Sequence, residues 1–170
     1  MADVVDRHKR SEMMAGIRGK DTKPEKIIRK ALHAAGVRYR LHVANLPGKP
    51  DLVFPKYKAA ILIHGCFWHR HCDCWWCTEP SSNQAFWEAK FEENVRRDER
   101  NLVQLQSLGW RVAVVWECAL KLRGKEDVAD SLRAWLMSSA PSLTLPLDRE
   151  KRRPTPAKGK GSTQTRATLQ

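Results

Sequence analysis

The chain has 170 residues, enough for one domain with a single core, and carries 31 Lys and Arg against 19 Asp and Glu. The formal net charge of +12 points to a polyanionic partner, for which phosphate neutralisation is the commonest use. There is no secretory apolar segment and no apolar run of membrane-spanning length, so the sequence reads as cytosolic with no membrane partner.

Residues 1–20 are expected to form a basic, DNA-contacting arm with Met13, Met14 and Ile17 on one side of a short amphipathic segment. Thr22-Lys23-Pro24-Glu25 predicts a capping box with proline in the first turn, opening a helix whose apolar face is Ile27, Ile28, Ala31, Leu32 and Ala35 and whose stop is Gly36. Val37, Tyr39 and Leu41 alternate as a strand. Leu52 to Phe54 form a second, and Ala59 to Ile63, apolar throughout and therefore central, form a third in the same meander. Ser82 is predicted to cap a long helix through Leu108, with Phe86, Val95, Leu102, Leu105 and Leu108 turned inward and Gly109 as its stop. Trp110 to Trp116 is β-rich, and reaching it from the third strand through a helix calls for a crossover and a parallel pair. A last helix, Glu126 to Met137, is expected to bury Val128, Leu132 and Trp135. Trp110, Trp116 and Trp135 are assigned to the core. The predicted order is αβββαβα, an α/β fold with helices on both faces of a mixed sheet. Residues 21–140 then form the folded domain and 141–170 a basic tail. From Asp148 that tail holds seven basic and two acidic residues, a net +5, with too few apolar groups to fold, so disorder is expected there.

The chemistry concentrates between Pro50 and Cys77. Asp51 follows a Leu46-Pro47-Gly48 turn, and the third strand delivers His64, Cys66, His69 and His71 in quick succession. A carboxylate at the mouth of one strand and imidazoles at the end of its neighbour can hold a hard divalent cation, orient a water and take its proton, which suggests a metal-assisted nuclease. Taken alone, Asp51 is an ordinary turn residue. Four of the five cysteines, Cys66, Cys72, Cys74 and Cys77, crowd into one loop, and Cys118 ends a later strand. In a reducing compartment that density points to metal. A tetrahedral zinc can be assembled from Cys66, His71, one clustered thiol and Cys118, with Cys74 the expected thiol, although spacing also allows Cys72 or Cys77. The alternatives are a site of Cys66, Cys72, Cys74 and Cys77, or a redox pair in Cys74-Trp75-Trp76-Cys77. Phe67 and Trp68 lie on the same loop and Trp87 at the start of the long helix, placed either to insert between base pairs or to pack against the loop.

The strings LPGKPDLVFPKYKAAILIHGCFWHRH and FWEAKFEENVRRDERNLVQLQSLGWRVAVVWECAL closely resemble the very-short-patch repair (Vsr) DNA mismatch endonucleases, from the amino-terminal DxTKPE-like segment to Leu120. The resemblance implies a restriction-endonuclease-like fold and nicking beside the thymine of a T·G mismatch produced by deamination of 5-methylcytosine. It implies magnesium on Asp51 and on the main-chain oxygen of Ile63, where a residue with a side-chain hydroxyl is usual. It further implies His69 as the residue that takes the proton from the attacking water, His64 near the scissile phosphate, Asp98 as a further active-site acid and Glu25 as the residue that orients His69. Glu25 is equally explained by the capping box, and Asp98 by a solvated carboxylate among Arg96, Arg97 and Arg100. By the same resemblance His71, not His69, is the zinc ligand, and Phe67, Trp68 and Trp87 form an intercalating wedge. Met14 and Lys90 are expected as further DNA contacts. Trp75 and Trp76 fall where the chain departs from the family pattern and stay unassigned. The implied setting is a monomer in the bacterial cytoplasm, associated with the nucleoid, working beside mismatch-repair proteins such as MutL. A non-catalytic, zinc-stabilised DNA-binding protein, or a related nuclease with another mismatch or restriction specificity, are the competing readings.

Overall fold

The computed structural model describes residues 19–147, so the expectations for the amino-terminal arm with Met14 and for the chain beyond Leu147 lie outside the described residues. Helix α1 (Lys23–Ala34) opens at the predicted box. The Glu25 carboxylate reaches back to accept the Thr22 N–H at 3.3 Å and the Asp21 N–H at 2.9 Å. Strands β1 (Arg40–Leu41) and β2 (Leu52–Phe54), a 3₁₀ turn at Pro55–Tyr57 and β3 (Ala59–His64) follow, then helix α2 (Gln84–Ser107), β4 (Arg111–Trp116), α3 (Glu117–Met137) and β5 (Ser142–Leu145).

The sheet runs β1-β2-β3-β4-β5. The first three strands are an antiparallel meander, Leu52 pairing with Ile61, and β3 and β4 are parallel, with Ile63 opposite Val115 and His64 opposite Trp116. Strand β3 is covered on both faces, which explains its unbroken apolar run. Ile61 and Ile63 join Ile28 and Leu32 of α1 and Val128, Leu132 and Trp135 of α3 in the larger core cluster. Leu62 turns the other way, onto Leu105 of α2 and Val112. Of the three assigned tryptophans, Trp135 is buried, while Trp110 and Trp116 are half-buried.

Four expectations need correction. The predicted order lacks β5: Ser142–Leu145, placed in the 141–170 tail, pairs in parallel with β4 and buries Leu145. A four-residue edge strand with two exposed positions carries too little apolar pattern to be seen. Helix α3 is divided at Gly124 (φ 79°): its second part carries the expected Glu126–Met137 segment, and the first part, from Glu117, was not expected. Strand β1 covers only Arg40–Leu41, with Leu41 exposed, while Val37 is buried before it. On α2, Phe86 and Leu108 are 64% and 55% exposed, and Phe91 is the buried ring. At 24 residues the helix is about 36 Å long against about 20 Å for a six-residue strand. Its amino-terminal half therefore overhangs the sheet and meets the 65–77 loop.

Arg111 at the start of β4 closes the end of α3. Its guanidinium donates to the carbonyl oxygens of Trp135 (2.6 Å), Ser138 (2.8 Å) and Ala140 (3.1 Å) and lies 4.8 Å over the Trp135 ring. Arg111→Ala removes the side-chain donor from the Ser138 and Ala140 carbonyls, while that of Trp135 keeps the Ser138 N–H and hydroxyl, and we expect a loss of about 2 kcal/mol in urea unfolding with a small change in m-value.

Candidate active site and metal centre

Strand β2 starts one residue after Asp51, beyond the Leu46-Gly48 turn. Gly48 has φ +70°, and a Cβ there would sit 2.8 Å from Asn101 Nδ2, so the turn is held tightly against α2. The antiparallel register then carries Asp51 to the carboxyl end of β3, where its Oδ2 accepts the Ile63 N–H at 2.7 Å. Burial pushes the Asp51 carboxyl up to about 7 in spite of that bond. The Glu25 charge adds to the rise, while Arg29 and His69 oppose it.

His64 ends β3, and burial, helped by the neighbouring His69, pushes it down to about 3, so its imidazole is neutral. The His64 and His69 rings stack at 4.1 Å and 5° from parallel, and the Trp116 ring meets His64 edge-on at 5.2 Å. His69 Nδ1 is hydrogen-bonded to Asp98 Oδ2 across from α2. Burial works to raise the Asp98 carboxyl, but the hydrogen bond and charge of His69, with His64 and Arg97 behind it, bring the carboxyl below its ordinary value. With Nδ1 donating to a carboxylate, Nε2 is the nitrogen left to accept a proton. Asp51, His64, His69 and Asp98 line one open cleft of about 1010 Å³, together with Lys49 and Arg97.

Glu25 lines that cleft without touching His69. Its carboxylate accepts from the Thr22 N–H and hydroxyl on Oε1 and from the Asp21 N–H and Arg29 Nη2 (2.6 Å) on Oε2. Four donors fill its accepting capacity. The expected orienting partner of His69 is therefore corrected: Asp98 holds that position, and Glu25 belongs to a cluster with Asp21, Arg29 and His42, whose Nε2 lies 2.8 Å from Arg29 Nη2. The cluster went unread in the sequence, where only the Glu25 to Arg29 spacing of four hinted at it.

The site suits a hard cation. A desolvated carboxylate whose charge is disfavoured by burial gains from a divalent neighbour, and oxygen donors are what magnesium takes. Asp51 would hold it, with the main-chain oxygen of Ile63, which lines the same cleft and whose side chain carries no donor.

The loop after β3 gathers a second donor set. Ligand atoms of Cys66, His71, Cys74 and Cys118 all lie within 4.8 Å of one another. His71 Nδ1 is 3.3 Å from Cys118 Sγ and 3.8 Å from Cys66 Sγ, bracketing the edge of about 3.6 Å that tetrahedral Zn–N and Zn–S bonds give. Cys72 is exposed and Cys77 stays outside the group, so of the three thiols that spacing allowed, Cys74 joins it. The two histidines separate, His71 lying with the thiols and His69 with Asp98. His71 also stacks on Trp116 at 4.2 Å, and backbone bonds from His69 N–H to Gly65 O and from His71 N–H to Cys66 O tighten the intervening turn.

The rings of Phe67, Trp68 and Trp87 form one half-buried cluster with Phe91. Phe67 lies 5.1 Å from Trp68 and Phe91 and 5.8 Å from Trp87, edge to face. Asn94 of α2 donates to the Trp68 carbonyl oxygen at 3.1 Å. Lys90 is exposed beside Glu93 on the same helix.

Residues 2–75 match the family model described as DNA mismatch endonuclease Vsr. The chain is 42% identical over 148 residues to the DNA mismatch endonuclease Vsr of Escherichia coli, covering 85% of this chain and 94% of that protein. The chain belongs to the Vsr family. It is also 45% identical over 120 residues to the type II nicking enzyme V.XorIIP of Xanthomonas oryzae pv. oryzae, covering 71% of this chain and 88% of that protein. To V.NmeAIP of Neisseria meningitidis it is 46% identical over 124 residues, 71% of this chain and 86% of that protein. All three relatives are named as endonucleases or nicking enzymes, and the chain is accordingly a DNA endonuclease of this family. No helix among the described residues is long and apolar enough to cross a membrane.

Two outcomes are expected. Cys74→Ser should lose stoichiometric zinc and melt about 10 °C lower or more, whereas Cys72→Ser should retain both, as read by metal analysis and calorimetry. Asp51 is expected to destabilise the magnesium-free protein at neutral pH. Its folded value near 7 lies above the ordinary 3.8, so its contribution favours the folded state below about pH 4 and is lost as pH rises to about 7. Asp51→Asn should thus be the more stable protein at pH 8, by at most about 4 kcal/mol, with the advantage shrinking by pH 5, measured by denaturant unfolding with chelated magnesium.

Proposed function

We propose that this protein is a strand-specific mismatch endonuclease that hydrolyses the phosphodiester bond 5′ of the thymine in a T·G mismatch. The observation that carries the reading is the His69–Asp98 pair, stacked on a neutral His64 and sharing one cleft with Asp51. That is a water-activating base, an orienting acid and a cation-binding carboxylate in reach of one backbone phosphate.

In this mechanism His69 Nε2 takes the proton of the attacking water, and Asp98 holds the ring in the required tautomer and steadies the imidazolium that results. His64, neutral and fixed between His69 and Trp116, is placed to hydrogen-bond the phosphate as charge builds on its oxygens. Arg97 and Lys49 at the cleft wall hold the flanking phosphates. Asp51 and the Ile63 carbonyl would hold magnesium, which would supply polarisation of the phosphate and charge stabilisation for the leaving 3′ oxygen. Products are 3′-hydroxyl and 5′-phosphate ends.

Phe67, Trp68 and Trp87 supply the recognition element. A T·G pair costs less to unstack than a matched pair, and aromatic faces replace the lost stacking. Cys66, His71, Cys74 and Cys118 would hold zinc, which would fix the loop that carries Phe67, Trp68 and His69. The protein is proposed to act as a monomer on nucleoid DNA in the cytoplasm, with MutL-type mismatch-repair proteins as candidate partners. A second reading, the same chemistry on a mismatch in the recognition site of a restriction system, draws support from the nicking-enzyme names of its relatives. A purely binding role leaves the buried Asp51 facing the histidines without a purpose.

Magnesium-dependent nicking of a T·G duplex, abolished by chelator, tests the activity, and a panel of mismatches in varied flanking contexts separates the two readings. Asp51→Ala should nick at background while still retaining mismatched DNA in a gel shift. His69→Ala should lower single-turnover nicking by about 10²–10⁴-fold. Trp68→Ala should reduce preference for mismatched over matched duplex by about 1–3 kcal/mol, and unchanged discrimination would remove the wedge from the account.

A further inference from the structure

The segment Cys74-Trp75-Trp76-Cys77 places one tetrad thiol three residues from a thiol that the tetrad does not use. We propose that Cys74 and Cys77 form an oxidative modification site, at which a peroxide converts the two thiols to a disulfide and thereby withdraws Cys74 from the metal tetrad. This rests on the reading of Cys66, His71, Cys74 and Cys118 as a zinc centre.

The Cys77 N–H donates to the Cys74 carbonyl oxygen at 3.0 Å, closing a tight turn. Such a turn brings its end Cα atoms within about 7 Å, and disulfides span about 4.4–6.8 Å. The Lys121 ammonium lies 5.4 Å over the Trp76 ring and ties this turn to α3, the helix that also carries Cys118. Cys66 and Cys118 are buried, whereas Cys74 and Cys77 are both partly exposed, so Cys74 is the tetrad sulfur within reach of a solvent oxidant. Cys72 is exposed and turned to the Asp73 carboxylate at 3.4 Å, across a residue with φ +52°, and is not part of the turn. The alternative, a second conventional ligand pair in Cys74 and Cys77, is ruled out by the ligand count: His71 with Cys66, Cys118 and Cys74 already completes four.

The chemistry balances with hydrogen peroxide as the oxidant. The Cys74 thiolate attacks one peroxide oxygen, forming a sulfenic acid and releasing hydroxide, which takes a proton from solvent to become water. Cys77 sulfur then attacks Cys74 sulfur, and the sulfenic hydroxyl leaves with the Cys77 proton as a second water. Two sulfurs lose two electrons in total, and one peroxide becomes two waters. Three remaining donors hold the metal poorly, and the turn that positions His69 and the aromatic rings comes loose. A dithiol reductant with zinc reverses the change.

The test uses the zinc-loaded, full-length protein titrated with hydrogen peroxide, followed by a chromogenic zinc chelator and by peptide mass mapping. The expected result is a loss of about 2 Da confined to a Cys74–Cys77 peptide, with one zinc released per disulfide and both restored by dithiothreitol plus zinc. Cys77→Ser should hold zinc and nick as the parent does before oxidation. After oxidation it should show no 2 Da loss in the 74–77 peptide, its Cys74 sulfenic acid going on to the sulfinic acid or pairing with Cys66 or Cys118, whose sulfurs lie within 4.8 Å. Cys72→Ser should behave as the parent throughout. Zinc retained through complete oxidation of Cys77, or a disulfide mapped to another pair in the parent protein, would each overturn the proposal. Zinc release and mass are read without any nicking assay, so failure here is distinguishable from failure of the nuclease reading.

Discussion

The bond from the Ile63 N–H to the Asp51 carboxylate joins the entry of β2 to the exit of β3, and the arrangement of the cleft depends on it. An antiparallel pair alone would align the two strands, but it would not hold a charged side chain in a largely buried place. One backbone donor does so at a cost: burial pushes the carboxyl up to about 7, and the single hydrogen bond only partly offsets that. The same end of β3 carries His64, and the next residues carry His69, so the tethered carboxylate and the imidazoles face one cleft. A partly buried carboxylate whose charge is disfavoured in this way would gain from a cation beside it.

The second constraint is the thiol–imidazole tetrad. An irregular loop of a dozen residues has no secondary structure to place its side chains, and rings exposed on such a loop would otherwise collapse onto each other in many ways. Here Cys66 and His71 bracket the turn, Cys118 anchors it to the start of α3, and Trp116 stacks on His71 while its edge meets His64. Trp116 thus connects the two sites mechanically: the residue that packs the metal ligand also packs the imidazole of the cleft. The overhanging half of α2 closes the arrangement from the other side, with Asp98 on His69, Asn94 on the Trp68 carbonyl and Phe91 beneath Phe67. The thiol–imidazole tetrad and the cleft of Asp51, His64 and His69 are two ends of one packed unit.

Much of this was legible in the residues. The capping box at Thr22-Glu25, the apolar run Ala59 to Ile63 and the crossover to Trp110–Trp116 announce α1, a central β3 and the parallel pair, because cap chemistry and two-sided burial act locally on composition. Cys66, His71 and Cys118 were legible as members of one donor set, down to a choice among three thiols for the fourth. Elements whose burial depends on partners were not. Strand β5 is too short to show a period, α3 begins before its apolar pattern does, and the inward face of α2 was misjudged at Phe86 because the amino-terminal half of that helix packs on a loop and not on the sheet, and at Leu108 because that residue is the cap beyond the last helical turn.

Charge, cysteine density and the spacing of Asp51, His64 and His69 by themselves pointed to a polyanionic partner and to donors suited to metals, since residue type sets donor hardness, acidity and charge whatever the fold. Which carboxylate orients His69 was decided only in three dimensions. Glu25 and Asp98 are both acids of suitable chemistry, but the donors around α1 fill every accepting position of Glu25, while the path of α2 across the loop sets Asp98 against the ring. The choice of Cys74 over Cys72 and Cys77 is of the same kind. Three thiols in six residues have equal affinity for a metal, and only the turn direction of the folded loop brings one of them to Cys118, 44 residues further along the chain.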